Sequence, residues 1–263
     1  EQVQALLYDL MANFHNICEE NGLYYVVFGG TLLGAVRHQA MIPWDDDVDV
    51  CMPRKDYEKF CEIIGKKHSE LHTINVYPQK NYIYEFAKFG LKRSLLIEKY
   101  LRPSFSKEKL YIDVFPIDGY PTVEDEKKYF RKLRHYKTGI YRSTWKMTWQ
   151  GKFVLRRSIY LLYRIIGYKY FLTKLIKENQ KYDFDSSQYV LMEGAGWYEK
   201  GKLKKETFMK RKLYRFGDLE VWGIEDYDEH LTRLYGDYMT PPPEEKRKSN
   251  HSYDLYLEKE YEN

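Results

Sequence analysis

Residues 28–50 read FGGTLLGAVRHQAMIPWDDDVDV, and the fold turns on how this stretch divides into elements. Val48, Val50 and Met52 alternate with Asp47, Asp49 and Cys51, the period of a half-buried strand with carboxylates on one face. Asp47 and Asp49 then emerge on the same side, about 6.5 Å apart along the chain. Two carboxylates that close repel each other unless a cation lies between them. Hard divalent ions, Mg²⁺ or Mn²⁺, favour such oxygen-only surroundings. The bland alternative is an acidic, solvated turn, and the buried face implied by Val48 and Val50 weighs against it. A calcium loop would take Asp45, Asp47 and Asp49 at its first, third and fifth positions. Its sixth position would be Val50 instead of Gly and its twelfth Asp56 instead of Glu, so that reading fails.

Upstream, Tyr24 to Phe28 is a β-branched and aromatic run, hence a strand, which ends at Gly29-Gly30. Thr31 is suited to cap a short helix through Val36. A Gly-Gly pair can be a plain strand-to-helix turn. It can also let backbone N–H groups approach a phosphate at a helix N-terminus, with Arg37 and His38 at hand to neutralise charge. Before this, Leu6, Leu7, Leu10, Phe14, Ile17 and Cys18 recur at helical steps over residues 3–20, and Asn21-Gly22 stops that helix.

Downstream, a helix is expected over 54–67 and strands at 73–77, 82–89 and 110–115. Pro116 and the Asp118-Gly119 turn are expected to end the last strand. Asp113 is embedded in the apolar run Tyr111 to Phe115, where a lone carboxylate is costly unless partnered; a third metal ligand would explain it. Gly194, Gly196 and Gly201 mark later turns, followed by a β-like stretch at 219–224, a helix near 227–235 and the extended Pro241-Pro242-Pro243.

The overall charge of +4 hides an asymmetry: residues 127–181 hold 16 Lys and Arg against one acid, Glu178, so this window is +15 and the rest of the chain −11. Within it Phe153, Val154, Leu155, Ile159, Leu162, Tyr163, Ile166 and Phe171 interleave with Arg156, Arg157, Arg164 and Lys169. Three readings stand open: a helical subdomain with an ordinary basic exterior, docking on an anionic membrane or polymer, and nucleic-acid binding. No nucleic-acid module is visible to support the last. Cys18, Cys51 and Cys61 form no CxxC pair, so reduced thiols and a cytoplasmic setting are the default expectation. No signal peptide is visible. The chain begins inside a helical pattern at Glu1, as expected of one trimmed by a few residues. No stretch reaches the roughly 20 apolar residues of a spanning helix, which leaves peripheral contact with the cytoplasmic face of a membrane open.

Taken together, Gly-Gly after a strand, Asp-x-Asp on the next and a third Asp on a later strand resemble the nucleotidyltransferase superfold of DNA polymerase β. GGTLLGAVRH at 29–38, IPWDDDVD at 42–49, IDVFPID at 112–118 and YGDYMTPPPEEKR at 235–247 resemble more closely the LicD family of phosphocholine transferases, which includes fukutin and fukutin-related protein. The resemblance implies an α+β core: a mixed sheet with flanking helices and a basic helical insertion. The expected division is a catalytic core at 1–120, a helical subdomain at 121–185 and a segment at 186–263 that completes the core and cleft. It implies transfer of phosphocholine from CDP-choline to a sugar hydroxyl of a lipid-linked or polymeric glycan precursor, of teichoic acid or lipopolysaccharide type. Asp47, Asp49 and Asp113 would hold Mg²⁺ or Mn²⁺ and carry catalysis. Gly29, Gly30, Thr31, Arg37 and His38 would hold the nucleotide phosphates, and Trp44, Asp45, Lys88 and Arg247 would be further substrate contacts. Transfer of another polyol phosphate or a nucleotidyl group on the same core remains the alternative, as does a non-catalytic glycan-binding or assembly protein.

Overall fold

A computed structural model describes residues 2–66, 71–147, 154–191, 198–249 and 251–258. Phe153, Gly194 and Gly196 lie outside these, as do the side chains of residues 154–157. Helix α1 (Gln2–Asn21) buries Leu7, Leu10, Met11, Phe14 and Cys18 along one stripe, and Gly22 ends it at φ +60°. Strand β1 (Val26–Val27) leads into helix α2 (Gly29–Arg37), and strand β2 (Asp49–Pro53) into helix α3 (Arg54–Lys66). Strands β3 (His72–Asn75), β4 (Ala87–Glu98) and β5 (Lys107–Gly119) follow.

Helices α4 (Val123–Thr144), α5 (Val154–Ile166) and α6 (Tyr168–Asn179) come next. The chain then returns to the sheet through β6 (Tyr189–Leu191), β7 (Lys202–Lys204) and the short α7 (Lys205–Met209). The hairpin β8 (Arg211–Phe216) and β9 (Leu219–Ile224), helix α8 (Asp228–Tyr235) and strand β10 (Tyr253–Leu257) complete it.

The main sheet runs β10-β4-β5-β2-β1-β9-β8. Pairs β2–β5 and β1–β9 are parallel and the others antiparallel. β3 pairs with the first half of β4 and β10 with its second half, so the residues after 250 close the edge beside the sheet centre. This is the mixed, helix-flanked α+β sheet expected of a nucleotidyltransferase-like fold. Its core packs α1, α3 and the sheet interior, with Phe14 edge-on to Tyr25 at 5.0 Å and to Phe60 at 4.9 Å. A second core joins α4 and α6 through Tyr129, Phe130, Leu133, Phe171, Leu172 and Leu175, and it takes in Ile83, Leu101 and Phe105 from outside the helices.

Three local expectations are corrected. Residues 82–86 are irregular and β4 begins only at Ala87, because the aromatic run Tyr82–Phe86 packs as a wall instead of pairing. β5 runs on through Pro116 and Asp118-Gly119. Pro116 lies opposite Met52, and Asp118 accepts from Arg54 through both carboxylate oxygens, so Asp118 is a strand residue in an ion pair and not turn chemistry. Thr31 does not cap α2: the helix already begins at Gly29, and the Thr31 hydroxyl accepts from the Asp49 N–H at 2.9 Å.

Candidate active site

Strand register sets the centre of the site. Asp49 on β2 lies beside Asp113 on β5, and Asp113 beside Lys88 on β4, so three charged residues cross adjacent strands in one row. Asp47 precedes β2 by two residues in the segment that enters it. Lys88 is 2% exposed, with its Nζ 3.3 Å from Asp113 Oδ1. The same ammonium sits 3.1 Å from the ring centre of Tyr111 and 4.3 Å from that of Tyr84, a cation–π enclosure. The Lys88–Asp113 contact is an ion pair without hydrogen-bond alignment, and Asp113 Oδ1 is a buried acceptor lacking a hydrogen bond.

Burial, followed by the charges of Asp47 and Asp113, pushes Asp49 well above the usual carboxylate range. Burial raises Asp47 as well, with the His251 charge opposing it. Asp113 is raised by burial against the pull of Lys88. Asp45 is pushed up to about 7 by burial and then by the charge of Asp47. Burial first, and mutual charge after it, therefore disfavour full ionisation of these carboxyls.

The glycine turn shapes the opposite wall. Gly29 takes φ +56°, a left-handed conformation that side chains disfavour. A Cβ on Gly30 would stand 2.9 Å from Asp45 Oδ2, and one on Gly34 would stand 2.6 Å from the Ala40 carbonyl. The missing side chains thus let the loop 38–48 fold back on α2. At Gly30 the space is taken by the Asp45 carboxylate. Gln4 fastens this loop, donating to the carbonyls of Ile42 at 3.0 Å and Asp45 at 2.8 Å.

These walls enclose a cleft of about 1130 Å³. Of the residues singled out from the sequence, Gly30, Arg37, Trp44, Asp45, Asp47, Asp49 and Asp113 line it together. Arg37 donates to the Tyr238 carbonyl at 2.6 Å and to His38 Nε2 at 3.0 Å, which ties α2 to the loop after α8. The His38 ring meets Trp44 edge-on at 6.0 Å, and the Arg247 guanidinium lies 5.5 Å from the Trp44 ring centre. Thr31 is buried with its hydroxyl committed to Asp49, and Gly29 is buried too. Lys88 is buried and does not line the cleft.

Sequence reasoning missed His251, Ser249, Asp46 and Tyr235. His251 Nδ1 lies 2.8 Å from Asp46 Oδ1, and its Nε2 lies 3.6 Å from Asp47 Oδ2. Ser249 donates to Asp46 at 2.6 Å. The Asp46 hydrogen bond raises His251 to about 9, against the effect of burial. Burial pushes Asp46 up, but the bonds from His251, Ser249 and Tyr253 outweigh it and hold this carboxyl low. Tyr235 lines the cleft from α8. Roughly 200 residues separate His251 from Asp46, so no local pattern announces the pair. The helical region also reaches the site: Lys137, Ile140, Tyr141 and Trp145 form the facing wall.

Comparison with known proteins places the chain in a family. The family described as "LicD/FKTN/FKRP, nucleotidyltransferase domain" matches residues 22–155, which include the glycine turn, all three aspartates and α4. The lipopolysaccharide cholinephosphotransferase LicD of Haemophilus influenzae is 30% identical over 266 residues, covering 97% of this chain and 96% of that protein. An uncharacterised protein of Rickettsia typhi is 38% identical over 82 residues, 28% of this chain and 26% of its own length. The human ribitol 5-phosphate transferase FKRP is 29% identical over 101 residues, 38% of this chain and 18% of that protein. With a family match over half its length and a near full-length relative, the chain belongs to the LicD family.

Proposed function

We propose that the protein transfers phosphocholine from CDP-choline to a hydroxyl of a lipid-linked or polymeric glycan, with a divalent cation held by Asp47, Asp49 and Asp113. The observation that carries this reading is the row Lys88–Asp113–Asp49 at the floor of a cleft, in a chain similar over almost its whole length to a cholinephosphotransferase. Fit to a cation is supported by Asp113 Oδ1, which has no hydrogen bond although Lys88 Nζ lies 3.3 Å away, and by carboxylates raised first by burial and, at Asp49, further by the charges of Asp47 and Asp113. The donors are all hard oxygens, which suits Mg²⁺ or Mn²⁺. Among the described residues no three such side chains converge as a ready-made cage. When bound, the ion supplies charge neutralisation at the diphosphate and the departing nucleotide.

The chain's own groups do the rest. Gly30 in the first turn of α2 lines the cleft, and a helix start of this kind suits a donor phosphate once the Asp45 carboxylate beside it gives way. Arg37 adds positive charge on the same wall. The acceptor oxygen bonds to the phosphorus that carries choline, the bond from that phosphorus to the CMP oxygen breaks, and CMP leaves. The hydroxyl proton passes to Asp113, which Lys88 favours as an anion. Nucleotidyl transfer would use the same carboxylates and differ only in which phosphorus is attacked.

The test is mass spectrometry of a glycan acceptor after incubation with CDP-choline or CDP-ribitol and Mg²⁺. The expected product carries phosphocholine, with CMP released. A nucleotide on the acceptor, ribitol phosphate in preference to phosphocholine, or no transfer would each overturn the reading.

A further inference from the structure

We propose that the outward face of α5 docks on an anionic lipid leaflet, where Leu161, Leu162, Ile165 and Ile166 stand exposed on a helix fastened to the wall of the cleft. Their exposures are 59, 55, 74 and 45%, high for aliphatic side chains on one short helix. Ile159, Leu162, Ile165 and Ile166 follow three- and four-residue steps and so share a face, with Leu161 at its margin. Contiguous exposed apolar surface of this kind marks a contact site.

The inner side of α5 is fixed. The Tyr163 carbonyl accepts from the Ser143 hydroxyl at 2.9 Å, and Arg164 donates to the Trp145 carbonyl at 3.4 Å. Ile140, Tyr141 and Trp145, on and just after the same stretch of α4, line the cleft. A surface seated on α5 therefore lies next to the helical wall of the site. The neighbouring α6 exposes Lys169, Tyr170, Lys174, Lys177 and, just past its end, Lys181, at steps that keep the lysines on one side.

Charge decides among occupants. Residues 127–181 carry +15, so a second copy that meets this face through the same face brings like charge against it. An anionic leaflet complements it, and an apolar stripe beside a row of exposed lysines is the pattern of a helix lying in the interface. At 13 residues α5 is too short to span a bilayer, and no described helix is long and apolar enough to do so. The docking stands independently of the reaction. Only what it would bring to the cleft, a lipid-linked acceptor, rests on the transferase reading.

Co-sedimentation of the whole chain with phosphatidylglycerol–phosphatidylcholine vesicles, and with phosphatidylcholine alone, tests this. Binding should favour the anionic vesicles and weaken toward 1 M salt, where the Debye length falls to about 3 Å. Leu162→Ser with Ile165→Ser should lower vesicle binding by about tenfold or more. Both sites are exposed, so melting temperature and turnover on a soluble sugar acceptor should hold. Equal binding to both lipids, no binding, unchanged binding by the double variant, or a parent dimer that the substitutions dissolve would each overturn the docking. Vesicle binding without transfer would sink the transferase reading and leave the docking intact; transfer without vesicle binding would do the reverse.

Discussion

In the sheet, Lys88, Asp113 and Asp49 stand side by side because strand register leaves them no other place. In the helical region, α4 and α6 meet because Gly139 has no side chain: a Cβ there would lie 2.3 to 2.7 Å from the Phe171 ring. The first region brings buried carboxylates together, and the second is closed by tight apolar packing. The contrast teaches that the carboxylate side of the cleft is positioned by backbone pairing, while the facing wall is held by shape. Each half can be disturbed by a change that should leave the other's mode of construction alone.

The largest effect is expected at the carboxylates. Asp49→Asn, and separately Asp47→Asn, should lower turnover in Mg²⁺ by about a thousandfold, the rate equivalent of several kcal/mol of lost charge stabilisation. Steady-state kinetics with CDP-choline check this, and a variant near parental turnover would remove that residue from the chemistry.

Next comes the counter-charge beside them. Lys88→Met leaves the buried Asp113 without its cation, and should destabilise the protein by about 3–5 kcal/mol. Adding Asp113→Asn should recover much of that loss. Urea unfolding of the two single variants and the double variant measures the coupling, and strict additivity would break the assigned pair.

On the other side of the comparison, Gly139→Ala should lower stability by about 1–3 kcal/mol through overpacking against Phe171. Unfolding followed in denaturant tests it; a stabilised variant would show that helix propensity outweighs the clash.

The smallest effect concerns pH. His251 rises from 6.5 to about 9 in the folded protein. Its stabilising contribution is therefore complete below pH 6.5 and disappears as pH rises through 9. The side chain is 43% exposed, so solvent screening keeps the amplitude modest. In metal-free protein the stability difference between parent and His251→Ala should shrink between those pH values, and a constant difference would show that the ring is neutral throughout.

What the sequence disclosed followed from how local each signal was. The Gly29-Gly30 turn and the stripe of α1 are carried by neighbouring residues, so their placement could be read directly; the alternation at 47–52 marked β2, but the strand begins only at Asp49, Asp47 lies in the segment before it, and Cys51 is buried like Val50 because helices and sheet cover both faces. The grouping of Gly30, Trp44, Asp45 and the three aspartates around one cleft extended that reading. Lys88 was singled out, but not its burial beside Asp113, which depends on β4–β5 register and on Tyr111. His251 and Asp46 meet only because β10 pairs with β4, a closure with no local signature. The end of β5 was misjudged because Pro116 and Asp118-Gly119 carry turn propensity. Pairing with β2 and β6, together with the Arg54 ion pair, overrode that propensity.

The most direct measurement of the central claim, that the carboxylate row is strained until a cation joins it, is thermal melting of the parent and of Asp49→Asn with and without Mg²⁺. Without the ion, Asn should melt at the same temperature as the parent or higher, because a repelling charge is gone. With saturating Mg²⁺ the parent should gain several degrees by mass action and the variant much less. A parent whose melting temperature ignores Mg²⁺, or a variant that responds as strongly as the parent, would contradict it.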